Sequence, residues 1–403
     1  MILKLLTPKI QNFIEEHKLD DPNGLLLKYK IVDDVAVSII VDQIKGRKKA
    51  KEKLPTWFKN AQIIFPPSIN MEQSSSEQTA QYKAEILTRI WGNGRALNRM
   101  LDLTGGFGVD SFFLSKFFNK VYFVEPDENL IEIATHNHHQ LGSDTFYYFN
   151  TSAEEFLTSS TMSFDFIYLD PSRRSKGNQK VFSLTQCEPN AILLQERIWK
   201  ITENFLIKTS PLLDIQQGLK ELKYVKRVYV ISFQNECKEL LFLCQKNFDS
   251  EPIIEAIDIA DREKSLAFLF SNERDTEVNY SAPLKYLYEP NASILKSGAF
   301  KTVASLFKMP KIHPNTHLYT SDKFLKNFPG RIFEIESLTK NDPKILREFF
   351  PDGKANVITR NYSASVDELR KKTRLTDGGE KFLIAFSGVK KKFLAVAKKL
   401  NGL

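Results

Sequence analysis

The first part of the chain has apolar residues at helical spacing. Ile10, Phe13 and Ile14 illustrate this pattern, which extends over residues 1 to about 65 and predicts a mainly helical region. Pro55, in the stretch LPTWF, predicts a helix boundary. A Pro- and Ser-rich connector, FPPSINMEQSSS, follows and leads into a further helix, which we expect Ser75 or Ser76 to cap.

From Arg99 onwards, short apolar runs alternate with helix-length segments. The runs read RMLDL, KVYFVEP, TFYYFN, FDFIYLDP, NFLIKTSP and VKRVYVIS. Strands of this buried type, separated by helices, predict a Rossmann-like α/β fold, in which helices cover both faces of a parallel sheet. Two later runs, ECKELLFLC and SLAFLFS, fit an antiparallel extension at one edge.

After about residue 275 the pattern changes to strand, helix, strand, helix, strand. The segments are RIFEIESL, DPKILREFF, KANVITRNY, VDELRKKT and KFLIAFSG. This order predicts a small α+β module of ferredoxin-like type. We therefore predict a helical N-terminal region over residues 1–70, a sheet domain over 71–272 and a C-terminal region over 273–403.

Composition narrows the class of protein. The 403 residues are 42% hydrophobic and 26% charged, as in soluble globular proteins of two or three domains. No apolar run reaches the length of a membrane span, and the N-terminus becomes polar too early for a signal peptide. Three Cys residues without CxxC spacing predict neither a disulfide framework nor a zinc site. We expect a cytoplasmic protein with no membrane partner and no metal.

An excess of basic residues gives a formal net charge of +8 and a pI near 9.0. Two stretches concentrate it, KGRKKAKEK at residues 45–53 and VKKKFLAVAKK at residues 389–399. Such stretches suit a polyanionic partner, because each neutralised phosphate releases counterions. They equally suit ordinary solvated faces, so the charge alone leaves both interpretations open.

A glycine cluster follows the first strand of the sheet in MLDLTGGFGVDSFFLSKFF, residues 100–118. No Gly-Lys-Ser/Thr follows, which excludes a Walker A loop. Glycines at 105, 106 and 108 also lack the third glycine of the dinucleotide fingerprint. Asp102, just before the loop, would repel a pyrophosphate but suits a positively charged ligand. S-adenosylmethionine (SAM) is such a ligand, with a sulfonium, an ammonium group and no phosphate.

The pattern D-x-T-G-G-x-G, from Asp102 through Thr104 to Gly108, resembles motif I of class I SAM-dependent methyltransferases. The resemblance implies that these glycines bring the backbone close to the methionine and ribose parts of SAM. It also implies that Glu125, which ends the next strand beside Pro126 about twenty residues on, holds the ribose hydroxyls. Asp170 and Pro171, at the end of the fourth strand, would face the same crevice.

Two further contacts with SAM are expected, one at the adenine and one at the methionine end. The resemblance places an adenine-contacting acid just before Ala153, where this chain has Ser152. Ser152, Glu154 or the backbone of Ala153 could make that contact. Thr79, in SSSEQTAQYKA, could contribute to a lid over the methionine end, although a helix-capping sequence explains the same residues.

The catalytic candidates are Asp170, Pro171 and Arg173. Many amino-methylating relatives carry an aromatic residue after the two prolines of this motif, whereas this chain reads Asp-Pro-Ser-Arg-Arg, so no base-stacking role is expected there. Asp170 could orient or deprotonate a nucleophile, and Arg173 and Arg174 could bind a phosphate or carboxylate.

Three histidines in THNHHQ are a separate feature of the second predicted helix. The spacing of His136, His138 and His139 lacks the pairing with a carboxylate that a metal site needs. We expect them to be surface residues.

The order of the helical region, the sheet domain and the C-terminal module resembles that of a bacterial family of class I SAM-dependent methyltransferases with a THUMP-like C-terminal domain. This resemblance implies SAM as cofactor and RNA, either tRNA or rRNA, as the methylated substrate. THUMP domains that bind RNA usually precede the catalytic sheet, whereas the similar module follows it here. Phosphate contacts are expected from five basic residues of this module: Arg360, Arg370, Lys371, Lys372 and Arg374.

Two alternatives remain open at this point. The substrate of the methyltransferase could be a protein or a small molecule, with the basic stretches incidental. The chain could also be a non-catalytic RNA-binding protein that retains a SAM fold. The sequence does not predict the oligomeric state.

Overall fold

A computed structural model of the chain describes residues 2–92, 97–173 and 183–400. It contains two compact units, each built from two segments. The first consists of Met1–Lys226 and Leu241–Asp249, and the second of Arg227–Leu240 and Ser250–Leu403. The domain boundaries after residues 70 and 272 stay predictions.

The first unit begins with the helical region that the sequence predicts. Pro55 marks a boundary between helices as expected, since one helix ends at Lys53 and the next begins at Pro55. A two-stranded hairpin interrupts the helices. The elements are α1 (Ile2–Leu5), α2 (Pro8–Glu16), α3 (Pro22–Lys28), β1 (Ile31–Val32), β2 (Val35–Ala36), α4 (Val37–Lys53), α5 (Pro55–Lys59), α6 (Ser68–Gln73) and α7 (Glu77–Trp91).

A parallel sheet with intervening helices forms the rest of the first unit. Its elements are β3 (Leu97–Asp102), α8 (Val109–Leu114), β4 (Phe118–Val124), α9 (Glu128–Gln140), β5 (Phe146–Phe149), α10 (Ala153–Ser159), β6 (Phe166–Leu169), β7 (Ser172–Arg173), β8 (Cys187–Glu188), α11 (Ala191–Ile201), β9 (Asn204–Thr209) and α12 (Ile215–Glu221). Short 3-10 helices cover Ser115–Phe117 and Leu184–Gln186.

The five parallel strands lie in the order β5–β4–β3–β6–β9. All four residues of β6 are buried, as expected of a strand with helices on both of its faces. The order reverses between β3 and β6, where Asp102 pairs with Tyr168 in register. Ligands of such sheets bind in the crevice at the carboxyl ends of the strands, at this point of reversal.

The second unit contains a small set of strands and a seven-stranded sheet. Its elements are β10 (Val225–Phe233), β11 (Glu236–Gln245, divided between the units), β12 (Ile253–Asp258), β13 (Leu266–Phe268), α13 (Phe270–Asp275), β14 (Tyr286–Pro290), α14 (Ala292–Ser297), α15 (Phe300–Leu306), β15 (Lys311–His313), β16 (Thr316–Ser321), β17 (Gly330–Leu338), α16 (Pro343–Phe349), β18 (Asn356–Arg360), α17 (Val366–Thr373), β19 (Lys381–Ser387) and β20 (Lys392–Leu400). A 3-10 helix covers Arg262–Lys264.

The seven strands lie in the order β15–β16–β14–β17–β20–β19–β18. The second basic stretch of the sequence therefore includes an interior strand, because β20 lies between β17 and β19, with Phe393–Ala397 buried. At Gly330 a Cβ atom would lie 2.0 Å from the carbonyl oxygen of Glu289, so only glycine fits the approach of β17 to β14. Among the described helices, none is both long and apolar enough to cross a membrane.

Candidate active site

The glycine loop joins β3 to α8 at the carboxyl edge of the sheet. Gly105 has no room for a side chain, because a Cβ atom there would lie 2.3 Å from the ring of Phe123. Gly106 has φ +56°, and among the described residues a Cβ atom on it would meet only the carbonyl oxygen of Thr104, at 3.9 Å. Gly105 therefore packs the loop onto β4, whereas Gly106 turns the backbone towards open space.

Asp102 holds the loop from inside. Its carboxylate accepts hydrogen bonds from the backbone N–H of Thr104 at 2.8 Å and from the Ser111 hydroxyl. The side chain is buried, and this burial raises the pKa of Asp102 to about 7. Asp102 thus stabilises the conformation of the loop. Its contact with a positively charged ligand stays a prediction.

Glu125 lies directly after β4 and faces the loop. Its carboxylate accepts the backbone N–H of Gly106 at 2.7 Å and that of Asp127 at 3.0 Å. Burial raises the pKa of Glu125, although both hydrogen bonds oppose this effect. A carboxylate has about four acceptor positions, so two donors leave capacity for ligand hydroxyls. The glycine loop and Glu125, each predicted to contact SAM, are thus in direct contact, and the role of Glu125 at the ribose stays a prediction.

Asp170 follows β6, across the point of strand reversal from the loop. Its backbone N–H donates to Oγ1 of Thr104 at 2.6 Å, which connects it to the glycine loop. Its carboxylate forms an ion pair with Lys208, the penultimate residue of β9, and 32% of its side chain is exposed. Burial raises the pKa of Asp170, and the Lys208 ammonium group opposes that rise.

Behind Asp170 lies a buried charge network that centres on Asp110. Lys83, from α7, lies 3.1 Å from Oδ1 of Asp110, and Lys208 lies 3.5 Å from Oδ2. The Tyr168 hydroxyl donates to Oδ2 at 2.7 Å, and the Ser75 hydroxyl donates to it at 2.8 Å. Burial alone would raise the pKa of Asp110, but the two ammonium groups and the two hydroxyl donors together outweigh it, so the pKa is lowered.

His138 is buried, and the expectation that all three histidines lie on the surface is wrong for it. Its Nε2 atom lies 3.0 Å from the Gly108 carbonyl oxygen, and its Nδ1 atom lies 3.0 Å from the Tyr148 hydroxyl. Gly108 makes this possible, because a Cβ atom there would lie 2.5 Å from the imidazole. His136 is half-buried and hydrogen-bonds the Gln62 carbonyl oxygen, whereas His139 is exposed.

We expect His138 to make folding stability depend on pH. Burial lowers the pKa of His138 to about 4, below the unfolded value of about 6.5. Between these values the unfolded chain binds more protons, so stability falls as pH falls from 6.5 to 4, by up to about 3 kcal/mol. Urea unfolding of His138→Gln should lack this part of the pH dependence, whereas His139→Gln should retain it. Parallel pH curves for wild type and His138→Gln would contradict the expectation.

The other residues that were predicted to contact SAM lie at the N-terminal ends of helices α7 and α10. Ser76 caps α7 by accepting the Thr79 N–H at 3.2 Å, and the Thr79 hydroxyl donates to the Ser76 carbonyl oxygen. Ser152 caps α10 in a capping box with Glu155, directly before the buried Ala153. These caps account for Thr79 and Ser152 without a ligand, so their contacts with SAM stay predictions.

The predicted site also includes Pro171 and Arg173, which follow Asp170, and Pro126, which follows Glu125. Pro171 is buried beside Asp170, and Pro126 is exposed after Glu125, where its carbonyl oxygen accepts a hydrogen bond from Asn150 at 3.0 Å. The backbone of Arg173 pairs with Cys187 in β7 and β8. The Arg173 side chain and all of Arg174 lie outside the described part of the chain.

The five basic residues predicted as phosphate contacts belong to the second unit, and two of them have carboxylate partners. Arg360 pairs with the buried Glu289, which also binds Arg331 at 2.7 Å. Arg370 pairs with Asp377. The other three, Lys371, Lys372 and Arg374, are exposed.

The comparisons with known proteins cover the whole chain. Residues 286–329 match a ferredoxin-like domain family, and residues 330–399 match a THUMP domain-like family. A protein from Porphyromonas gingivalis W83 that is assigned as a methyltransferase is 29% identical in sequence. Its crystal structure superposes with a TM-score of 0.83 and covers 99% of this chain and 98% of its own. The chain has a methyltransferase fold with ferredoxin-like and THUMP-like C-terminal domains.

Two other solved structures are much less similar. A protein from Pyrococcus horikoshii assigned as an RNA methyltransferase is 14% identical and has a TM-score of 0.35, over 49% of this chain and 96% of its own. TrmK from M. capricolum, solved with S-adenosyl-homocysteine (SAH), is 11% identical and has a TM-score of 0.32, over 42% of this chain and 68% of its own. A search of curated proteins gives no match.

Sequence reasoning missed part of the site in this methyltransferase fold. Lys83, Lys208 and Tyr168 surround Asp110, and Lys208 also contacts Asp170; none of the three belongs to a recognisable motif. The one available signal was a lysine inside the apolar run NFLIKTSP. Thr209, which follows Lys208, has a buried hydroxyl with no hydrogen-bond partner in the described structure.

Proposed function

We propose that the chain is a cytoplasmic SAM-dependent methyltransferase that acts on RNA. The observation that carries this proposal is the contact between the Glu125 carboxylate and the Gly106 N–H at the carboxyl edge of β3 and β4. It combines a carboxylate that has free acceptor capacity with a glycine that leaves space in front of the loop. Ribose hydroxyls fit such an acceptor, and the nearby carboxyl groups of Asp102 and Asp170 suit a cationic cofactor better than a phosphate.

The residues present therefore fit SAM. Glu125 would hold the ribose hydroxyls, the Gly105–Gly106 backbone would lie against the cofactor, and Pro126 would border the same end of the site. Ala153, at the start of α10, would contribute at the adenine. When bound, SAM supplies an electrophilic methyl group on its sulfonium.

Asp170 would act on the nucleophile that receives the methyl group. Its carboxylate is partly exposed, and its position is fixed by the Thr104 hydroxyl and by Lys208. An acceptor N–H or O–H must lose its proton in the reaction, and the Asp170 carboxylate would orient that acceptor and take the proton. Lys208 would keep Asp170 in place, and Pro171 would shape the loop after it. Arg173 would bind a substrate phosphate.

RNA is the favoured substrate for two reasons. The chain carries a formal net charge of +8, which favours polyanionic partners. It also has a THUMP-like domain, a type of domain for which the resemblance implies RNA binding. A tRNA or an rRNA would satisfy both.

Binding of SAH to the full chain, measured by calorimetry, tests the cofactor site. We expect Glu125→Ala to weaken binding by at least about a hundredfold, because each hydrogen bond to a charged group contributes about 1.5–3 kcal/mol and the two ribose hydroxyls would lose both bonds. Glu128→Ala is the matched control, since Glu128 is exposed in the first turn of α9. Equal affinities for wild type and Glu125→Ala would refute the assigned site.

A further inference from the structure

The C-terminal half of α4 concentrates positive charge in the first unit. Residues 45–53 contain six basic residues and one acidic residue, Glu52. Lys45, Lys48 and Lys51 are exposed, and no ion pair involves them within the described residues. Lys49 is also exposed and lies 3.2 Å from Glu72. We call Lys45, Lys48, Lys49, Lys51 and Lys53 the α4 cationic face.

Packing within the helical region fixes the orientation of α4. Ile40, Ile44 and Ala50 are buried in the core of the helical region. Gly46 packs so tightly that a Cβ atom on it would lie 2.4 Å from Cβ of Phe65. Because α4 cannot rotate about its axis without disrupting this packing, the exposed lysines have a defined direction.

Lys53 connects the α4 cationic face with the active site. Its ammonium group donates to the carbonyl oxygens of Met71 at 2.7 Å and Glu72 at 3.0 Å. Burial lowers the pKa of Lys53 to about 8, and the positive charges of Lys49 and Lys208 lower it further. Ser75, three residues after Glu72, accepts a hydrogen bond from Lys208 at 3.1 Å, and Lys208 pairs with Asp170, so the segment that Lys53 contacts leads to the residues around the catalytic candidate.

We propose that the α4 cationic face binds the sugar–phosphate backbone of the RNA substrate and leads it to Asp170. This inference rests on the proposed function. Lys45, Lys48 and Lys51 follow one another at intervals of three residues, about 4.5 Å of rise along the helix, and present point charges without bidentate geometry. Such a row suits regularly spaced phosphates, whereas a site for a particular acidic peptide would need specific geometry.

Two of the five C-terminal cations are weaker candidates for this role. Arg360 and Arg370 are engaged by Glu289 and Asp377, so using them for phosphate would break existing ion pairs. Within the described residues the lysines at positions 45, 48 and 51 do not carry that cost, and neither do the exposed Lys371, Lys372 and Arg374. A direct comparison of α4 with the exposed lysines of the second unit therefore decides between the two surfaces.

Fluorescence anisotropy with a labelled RNA hairpin tests the proposal on the full chain. The variant K45E/K48E/K51E is compared with K371E/K372E/K390E, which reverses three exposed lysines of the second unit. We expect the α4 variant to bind at least about tenfold more weakly and its salt slope to fall by about 2, as for three lost phosphate contacts. Its SAH affinity should stay at the wild-type value, and the second variant should lose less RNA affinity.

Three results would overturn the proposal. The first is an α4 variant with wild-type RNA affinity and salt slope, which refutes the surface but leaves the proposed function standing if RNA is still methylated. The second is displacement of the hairpin by polyglutamate as effectively as by unlabelled RNA, which indicates an acidic protein partner. The third is a wild-type chain that binds SAH but no RNA, which refutes RNA in the proposed function as well.

Discussion

Replacing Lys208 by methionine is expected to destabilise the protein by about 3–5 kcal/mol. Lys208 is buried between two carboxylates, Asp110 and Asp170, and its removal leaves Asp170 without its cation and Asp110 with Lys83 alone. Breaking a buried ion pair by removing one partner costs this much, because the remaining charge stays desolvated. Urea unfolding at neutral pH measures the change in the free energy of unfolding.

Two further variants separate the charge effect from lost packing. Lys220→Met, at an exposed lysine in α12, should change stability by less than about 0.5 kcal/mol. The double variant Lys208→Met/Asp170→Asn should be more stable than the two single effects predict when added, because the uncompensated carboxylate is gone. Strict additivity of the two changes would show that Lys208 and Asp170 do not interact.

Gly105→Ala and Gly106→Ala are expected to affect different properties of the protein. Gly105→Ala should mainly lower its stability, and Gly106→Ala should mainly lower its affinity for SAH. At Gly105 the new methyl group would lie 2.3 Å from the buried Phe123 ring, and such overpacking costs about 1–3 kcal/mol of stability. At Gly106 the methyl group meets no atom of the described residues closer than 3.9 Å, so the cost in stability is the left-handed backbone, about 1–2 kcal/mol. The same methyl group would occupy the space assigned to SAM, so SAH affinity should fall by about tenfold or more.

Calorimetry with SAH and urea unfolding together distinguish the two glycines. Gly142→Ala is a suitable control, since Gly142 also has positive φ (+77°) and open space around its Cβ position. It should lose stability as Gly106→Ala does and keep full SAH affinity. If Gly106→Ala also kept full SAH affinity, the cofactor would not lie against this side of the loop.

Local patterns predicted most elements of the fold. VDELRKKT predicted a helix that the structure places at the same residues, Val366–Thr373, where Ser365 caps it. The buried strands of the sheet were equally visible as apolar runs. The strand β20 was not predicted, because the lysines at both of its ends give the segment a charged, surface-like composition. Its five buried residues are covered only once β20 pairs with β17 and β19.

Only those parts of the candidate site that belong to short sequence motifs could be predicted. The glycine loop and Glu125 are separated by one helix and one strand, and their contact follows from strand order. The Lys83–Asp110–Lys208 network joins three distant segments, and buried charges contradict the expectation that charged residues lie outside. His138 was misplaced for a similar reason, since its burial depends on the missing side chain of Gly108.

The most direct test is transfer of a radiolabelled methyl group from SAM by the full chain. The acceptors are the RNA, protein and small-molecule fractions of an extract from cells that lack this gene, with Asp170→Asn as the comparison. We predict label in the RNA fraction that Asp170→Asn reduces at least about a hundredfold, as expected when a positioned proton acceptor is lost. Label only in protein or small molecules would contradict the RNA substrate, and no label in any fraction despite SAH binding would contradict methyl transfer.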